Sequence, residues 1–384
     1  MRFEEVTGQL PLKTQLTEMV LQNRLSHALL VLGREGAGSL PIARAFAQYV
    51  VCEIAVAQGL EDACGTCAAC VKAAKQVHPD IHFSYPVIPK KPGDKPLSTD
   101  YAAEWRSFLL DQPYGNLFDW LQFIRAENRQ GNITAEECND IIRKLSLKTF
   151  ESKYKVLIMW MPEYLGKEGN KLLKLIEEPP PNTLFLLVAE NESLVLPTII
   201  SRCQLVKVPA LTDADINNYL QQQSGLDASE ARQLAVISEG NLREALQQLK
   251  NADGNFQQLI RDWLNALLKN GPIALVKWIE EISKEGREKQ KQFLRYFNHL
   301  LEQAIRLAAL GSDSEWAHSL PPEEKDFIGR LNKMATLAQQ CAIVEELDKA
   351  AYYIERNAHA KMLFHALSIK MFHILRDKAR ISTW

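Results

Sequence analysis

The chain has 384 residues, 46% of them apolar, enough for two or three domains with substantial cores. Its 45 Lys+Arg against 47 Asp+Glu leave a formal charge of −2, which excludes the strong basic field of a chain that holds nucleic acid by charge alone. Seven cysteines are too few for a disulfide scaffold, Met1-Arg2-Phe3-Glu4-Glu5 lacks a signal-peptide pattern, and no apolar run approaches the roughly 18 residues that span a bilayer; a soluble, cytoplasmic protein with no membrane partner is expected.

Gln15 to Leu25 has the apolar spacing of an amphipathic helix, and His27-Ala28-Leu29-Leu30-Val31-Leu32 reads as a buried strand. Gly33-Arg34-Glu35-Gly36-Ala37-Gly38-Ser39-Leu40 follows, after which Ile42, Ala45, Phe46, Tyr49 and Val50 recur at helical spacing. Strand, glycine loop and helix form the frame of a phosphate-binding loop. There, backbone amides cradle phosphates, a lysine reaches the terminal phosphates and a Ser/Thr hydroxyl holds magnesium. Here Ser39 stands at the lysine position and Leu40 at the Ser/Thr position, while Glu35 places a carboxylate where an anion should be attracted. Gly33, Gly36, Gly38 and Ser39 are thus candidates for a degenerate nucleotide site with weak or no binding, the alternative being a glycine turn with no ligand.

Cys52, Cys64, Cys67 and Cys70 leave eleven residues between the first pair and then run C-x2-C-x2-C. Four thiolates suit a closed structural zinc site, within a zinc module over about 52–78. An iron-sulfur cluster, a Cys64/Cys67 redox pair and unligated thiols are the alternatives, the first lacking the downstream Cys-Pro of the ferredoxin pattern. His78 is either a substitute ligand or a surface or packing residue. Cys138, Cys203 and Cys341 stand alone as small apolar residues.

Asp80 to Tyr85 reads as a second strand, followed by an insertion over about 86–132. Its Pro86, Pro89, Pro92, Pro96, Lys90, Lys91 and Lys95 suggest an exposed, solvated elaboration, or else a DNA or partner contact. Thr134-Ala135-Glu136-Glu137 fits a capping box opening a helix to about Leu145. Lys155 to Met161 makes a third strand, ending in Trp160-Met161-Pro162-Glu163. An ATPase of this layout carries an acidic pair at that strand end; here both positions are apolar, and Glu163 is expected to be a solvated surface carboxylate. Lys171 to Glu178 is helical and stops at Pro179-Pro180-Pro181. Leu184 to Ala189 and Gln204 to Val208 are strands four and five. Between them, after a helical Leu196 to Ile200, comes Ser201-Arg202-Cys203. Arg202 is a candidate finger toward a neighbour's triphosphate, or an arginine lying over a helix end or paired with an acid.

Strands separated by helices predict an α/β fold with a mostly parallel sheet flanked by helices, in a domain spanning 1–209. Beyond Pro209 only helical patterns remain. Asp213 to Gln223, Ala228 to Ser238 and Asn241 to Leu249 form a three-helix domain, 210–252, with Asp213 and Asn241 as caps. An all-α domain, 253–384, follows, interrupted at Gly271-Pro272, Gly286 and Pro321-Pro322.

Taken together, Gly33 to Leu40, the four cysteines, His78-Pro79-Asp80, Glu177-Glu178-Pro179-Pro180 and Ser201-Arg202-Cys203 resemble the clamp-loader branch of the AAA+ family. The likeness rests on residues 1 to about 250, and beyond them only on helical character and length. It implies an AAA+ module with a zinc module, a three-helix lid and a helical collar for assembly. It also implies a non-hydrolysing stator subunit of the DNA polymerase III clamp loader, which helps load a ring-shaped sliding clamp onto primed DNA. Its partners would be the gamma/tau ATPase subunits and the delta subunit. Arg202 would act in trans on the ATP of the adjacent subunit. Arg243, in Gly240-Asn241-Leu242-Arg243, would be the family's second sensor, holding the lid helices where the loop is eroded. The eleven-residue cysteine spacer and the long insertion depart from the family pattern. Two alternatives stand beside this reading: an ATP-hydrolysing gamma/tau-like subunit, and a zinc-dependent nucleic-acid-binding protein.

Overall fold

The structure is a computed structural model that describes residues 1–91, 93–126, 129–250, 256–311, 322–355 and 358–376. Pro92, Pro321 and both ends of the expected helical carboxy-terminal region lie outside these. The chain divides into two compact units, Met1–Asn251 and Ala252–Trp384.

The first unit is built on five strands, β1 (Ala28–Gly33), β2 (Ile81–Ser84), β3 (Lys155–Trp160), β4 (Thr183–Ala189) and β5 (Gln204–Val208), in the order β2-β3-β4-β1-β5. Every pairing is parallel. A parallel sheet needs cover on both faces, and the strand period of two sorts the side chains accordingly. Leu29, Val31, Val156, Ile158, Leu184 and Leu186 face one core, which contains α2 (Ser39–Val51) and the insertion. Ala28, Leu30, Leu157, Met159, Phe185 and Leu187 face the other, with α7 (Ala135–Ser146).

Helix limits reflect local chemistry. The first helix, α1, spans Leu10–Leu21, with Pro11 in its first turn, where a missing amide costs nothing. α3 (Glu53–Gln58) and α4 (Ala68–Ala74) are short and begin immediately after Cys52 and Cys67. Thr134 caps α7 as expected, its hydroxyl accepting from Glu137 N at 3.1 Å, but the reciprocal half of the box is absent. Glu137 instead accepts from Ser98 N at 2.8 Å, because the insertion brings an otherwise buried amide to it.

The insertion corrects the expectation of a solvated elaboration. Lys90 and Lys91 are exposed, yet α5 (Ala102–Asp111) and α6 (Leu117–Phe123) bury Trp105, Phe108, Leu109, Trp120 and Leu121. Trp105 stacks on Tyr85 at 3.9 Å and meets Trp120 edge-on at 5.0 Å and Trp160 at 5.1 Å. Trp120 Nε1 donates to Pro86 O at 2.8 Å. Rings of this size contribute core area beyond that of any aliphatic side chain, so the insertion is part of the sheet's cover.

After β5 and the short α8 (Leu173–Glu177) and α9 (Pro197–Ile200) that precede it, three helices close the unit: α10 (Asp213–Ser224), α11 (Ala228–Ile237) and α12 (Leu242–Lys250). Thr212, not Asp213, caps α10, in a reciprocal box with Asp215. Asn241 does cap α12, accepting from Glu244 N at 3.1 Å.

The second unit is helical throughout its described residues, with helices at 256–265, 271–282, 287–310, 322–334, 337–355 and 360–376 and a π turn at Ala266–Asn270. Its core centres on Trp263 and Trp278, stacked 4.8 Å apart, with Phe293, Phe297 and Phe364 around them. Trp263 Nε1 donates to Ser368 Oγ at 2.9 Å, so the indole is satisfied inside the core.

Candidate functional site

The glycine loop runs from the end of β1 into α2 as the sequence predicts, but its glycines serve close approaches within the chain. A Cβ on Gly33 would lie 2.4 Å from Ser39 Oγ and 2.7 Å from Val208 Cβ. Gly36, at φ +73, would place one 1.8 Å from Asn241 Oδ1, and Gly38, the left-handed residue before α2, would place one 3.2 Å from Tyr114. Leu242 N donates to Gly36 O, and Gln9 Nε2 bridges Ala37 O and Pro209 O. Ser39 is buried and its hydroxyl makes no hydrogen bond. Leu40 points into the core, where no metal ligand is needed.

Glu35 and Arg243 meet in this loop. Arg243 is only 3% exposed; its Nη1 donates to Glu35 Oε1 at 2.9 Å, and its Nε and Nη2 form a fork on Asp119 at 2.5 and 2.7 Å. Glu35 also accepts from Asn116 and Asn241, and Asp119 from Gln247. The loop, the insertion and α12 are thus joined by one charge cluster. Asp119 and Asn116 were not visible as site residues in the sequence. The sole local signal was the Asn116-to-Asp119 capping spacing, which the structure fulfils at 3.0 Å in both directions.

At the end of β3, Trp160 and Met161 are buried and apolar, and Met161 takes a left-handed turn. Glu163 is not the solvated carboxylate expected. It accepts from Glu190 N at 2.7 Å and Asn191 N at 2.9 Å, tying the ends of β3 and β4 together, and burial raises its pKa.

Arg202 lies partly exposed between α9 and β5. Its Nε donates to Glu177 Oε1 at 2.6 Å and its Nη1 to Thr198 O at 2.6 Å and Ser201 Oγ at 3.1 Å. Registry sets its distance from the loop. Leu29 pairs with Gln204 and Gly33 with Val208, so Arg202 precedes the start of β5 while the loop leaves the far end of β1. Four strand steps separate the two ends, on the order of 13 Å.

The four cysteines converge, their sulfurs all within 4.8 Å of one another. Cys52 and Cys67 sulfurs are 4.0 Å apart and those of Cys64 and Cys70 3.9 Å. Four sulfurs at a zinc-sulfur bond length of about 2.3 Å would stand about 3.8 Å apart, whereas a disulfide needs about 2.05 Å. The amides of Ala55 and Cys64 point at Cys52, that of Cys67 at Cys64 and that of Cys70 at Cys67, each at 3.4 Å, an arrangement that favours thiolates. Burial pushes the Cys64 thiol up, but the amide of Cys67 and the backbone and hydroxyl of Thr66 outweigh it and bring it down to about 6. The donor set therefore fits zinc. In the long spacer, Asp62 accepts from Phe3 N and Glu4 N, both at 2.9 Å, and so ties the amino-terminal turn to the cluster.

His78 is a packing residue apart from the cluster. Asp80 N donates to its Nδ1 at 3.1 Å, which leaves Nε2 as the donor to Ser152 or Glu151. Asp80 itself accepts from the amides of Phe150, Glu151 and Ser152 and holds that turn.

A sequence model of the family described as "DNA polymerase III, delta subunit" matches residues 8–212, more than half of the chain. The chain is 27% identical over 319 residues to DNA polymerase III subunit tau of Bacillus subtilis, covering 81% of this chain and 48% of that protein. It is 25% identical over 242 residues to DNA polymerase III subunit delta' of Haemophilus influenzae, covering 63% and 60%. A solved DNA polymerase III gamma subunit-related protein of Thermotoga maritima aligns over 94% of this chain and 100% of that one, with 14% identity and a TM-score of 0.38. The chain spans less than two thirds of the length of either named polymerase subunit. With a parallel β2-β3-β4-β1-β5 sheet, a glycine loop after β1 and the family match across them, the chain belongs to the DNA polymerase III delta subunit family, among the AAA+ clamp-loader proteins.

Proposed function

We propose that this chain is a delta-prime-type subunit of a DNA polymerase III clamp loader: a stator that does not hydrolyse ATP itself and completes a neighbouring ATP site with Arg202. The observation that carries the proposal is the placement of Arg202. It sits at the opposite end of the sheet from its own glycine loop, partly exposed and aimed by Glu177 and Thr198. In this reading Arg202 exchanges Glu177 for a phosphate on another chain, where such a finger contributes about 10³ to 10⁵ in rate.

The loop supports the other half of the proposal. Without a lysine, with Leu40 in the core and with Asn241 against Gly36, Gly33, Gly36, Gly38 and Ser39 hold no productive nucleotide. Cys52, Cys64, Cys67 and Cys70 hold a structural zinc, which anchors α3, α4 and the amino-terminal turn. Residues 210–252 act as the lid and 253–384 as the collar. The partners are the gamma/tau ATPase and delta subunits, and the assembly loads the sliding clamp onto primed DNA in the cytoplasm. Among the described residues no helix is long and apolar enough to cross a membrane.

The test is Arg202→Ala in a reconstituted loader. DNA-stimulated ATP hydrolysis should fall by at least tenfold; an unchanged rate sinks the finger assignment. A second reading, an ATP-hydrolysing gamma/tau-like subunit, draws on the tau match. Hydrolysis by the isolated chain would establish it, and none is expected.

A further inference from the structure

Two buried charges hold the turn that leads from α7 into β3. Lys155, at the start of the strand, donates from Nζ to Leu145 O at 2.8 Å and to Leu147 O, closing the carboxyl end of α7. Asp80 accepts from Phe150 N at 2.6 Å and from Glu151 N and Ser152 N at 2.9 Å each. Burial pushes the Asp80 carboxyl up, but the amides of Glu151, Phe150 and Ser152 outweigh it and hold it below the usual carboxylate range. A buried charge is costly unless such bonds answer it, and an ordinary solvated turn needs neither residue. Yet what this frame presents to solvent is apolar: Leu147 is 65% exposed and Phe150 80%.

The acids beside the turn are already engaged, Glu151 with Lys72 and His78, and Asp140 with Arg143 and Lys144. Lys148 and Lys153 are exposed and form no ion pair among the described residues, so the apolar tip carries an unanswered positive edge. An aromatic ring on a backbone ordered before any partner arrives has the make-up of an interface anchor. The other exposed apolar residues near Phe150 are aliphatic: Leu147 on the same turn, and Val71 and Val77, which precede the two partners of Glu151. A seat for single-stranded nucleic acid stacks bases on successive rings, whereas aliphatic neighbours suit an apolar protein cleft. We propose that residues 147–153 form a docking knob, Phe150 and Leu147 entering an apolar cleft of a protein partner while Lys148 and Lys153 meet acidic side chains on its rim. The knob needs neither Arg202 nor the four cysteines, so it stands whether or not the chain is a stator.

The experiment titrates the full chain, by fluorescence anisotropy, into three fluorescein-labelled probes: a peptide of Glu-Leu-Phe-Glu repeated three times, the same peptide with lysine for glutamate, and a twelve-nucleotide oligothymidylate. The acidic peptide should bind, and the other two should bind at least about tenfold more weakly. Phe150→Ser, and independently Leu147→Ser, should weaken the acidic peptide about tenfold or more, the scale of a lost aromatic or apolar anchor. Lys148→Glu with Lys153→Glu should also weaken it and remove most of its salt dependence, as expected of charges at a rim. All the substituted side chains are exposed, so melting temperatures should match that of the wild type. Absence of binding by the acidic peptide overturns the knob, as does binding that neither Phe150→Ser nor Leu147→Ser changes. Equal binding of the lysine peptide overturns the acidic rim. Preferential binding of oligothymidylate, lost in Phe150→Ser, would make the turn a nucleic-acid surface and overturn the protein partner.

Discussion

The bond between Asp119 and Arg243 ties the insertion to α12, and a double-mutant cycle measures it. Side-chain exposures of 7% and 3% put both partners out of water, 124 residues apart in sequence. Arg243→Met leaves Asp119 as a buried carboxylate with only Gln247 and the Asn116 amide, and should cost about 3 to 5 kcal/mol. Asp119→Asn keeps an acceptor for the Asn116 amide but removes the charged half of the guanidinium's fork, which should cost about 2 to 3 kcal/mol, the scale of a lost charged hydrogen bond. In the double variant neither member of the Asp119–Arg243 pair is left stranded by loss of the other, so the two costs should fall short of additivity by about 2 to 4 kcal/mol. Urea midpoints should be read from hydrogen exchange of peptides in β1, β3 and β4, which isolates the Met1–Asn251 unit from the helical one. A coupling below about 0.5 kcal/mol, the size of an exposed ion pair, would refute the reasoning that burial makes this pair strong.

Acid should loosen both units. Burial, with the charges of Lys144 and Lys155, pulls His82 down to about 4, and burial alone takes His299 to about 4. Unfolded histidine binds its proton near pH 6.5, so the unfolded state holds more protons between 6.5 and 4 and stability must fall as pH drops through that window, by up to about 3 kcal/mol for each group. Replacing His82 by Gln should flatten the pH-dependent melting of the Met1–Asn251 unit, and an undiminished slope would remove His82 as the cause. The purified chain should carry about one zinc, and Cys64→Ser should lose it and deprotect the amides of Phe3 and Glu4 that Asp62 holds; full metal content in the variant, by elemental analysis, would discard the four-thiolate site. Gly36→Ala combines a positive φ with a Cβ 1.8 Å from Asn241 Oδ1, so it should destabilise by at least about 2 kcal/mol in thermal melts, and a neutral effect would show that Asn241 does not press on the loop.

How far these features were legible follows from their range along the chain. The strands are short apolar runs between turn residues, and β5 occupies Gln204–Val208 as its pattern predicts. Cap assignments are also local, yet Thr212 displaced Asp213 by one residue because either side chain accepts an amide and only backbone dihedrals separate them. The insertion misled for a different reason. Its prolines and lysines dominate 86–96, whereas the residues that bury it, Trp105, Phe108 and Trp120, lie later and find their partners Tyr85 and Trp160 across the sheet. Glu163 is a similar case: a lone acid after a strand reads as solvated until β4 delivers two amides to it.

The glycine loop shows why a motif and its chemistry separate. In sequence, three glycines without the lysine suggest a damaged phosphate site. In space, Gly33 is held by Val208 and Ser39, Gly36 by Asn241 and Gly38 by Tyr114, so each position excludes a side chain for reasons that need no phosphate. The loop's spacing therefore reports the packing of β1, α2, the insertion and the start of α12. Its charge pattern reports something else: a carboxylate at 35 is out of place in an anion site unless a cation meets it, and Arg243 does. Glycine frame and misplaced acid together describe a loop whose geometry is held from within the chain, by Asn241, Tyr114, Val208 and the Glu35–Arg243 pair.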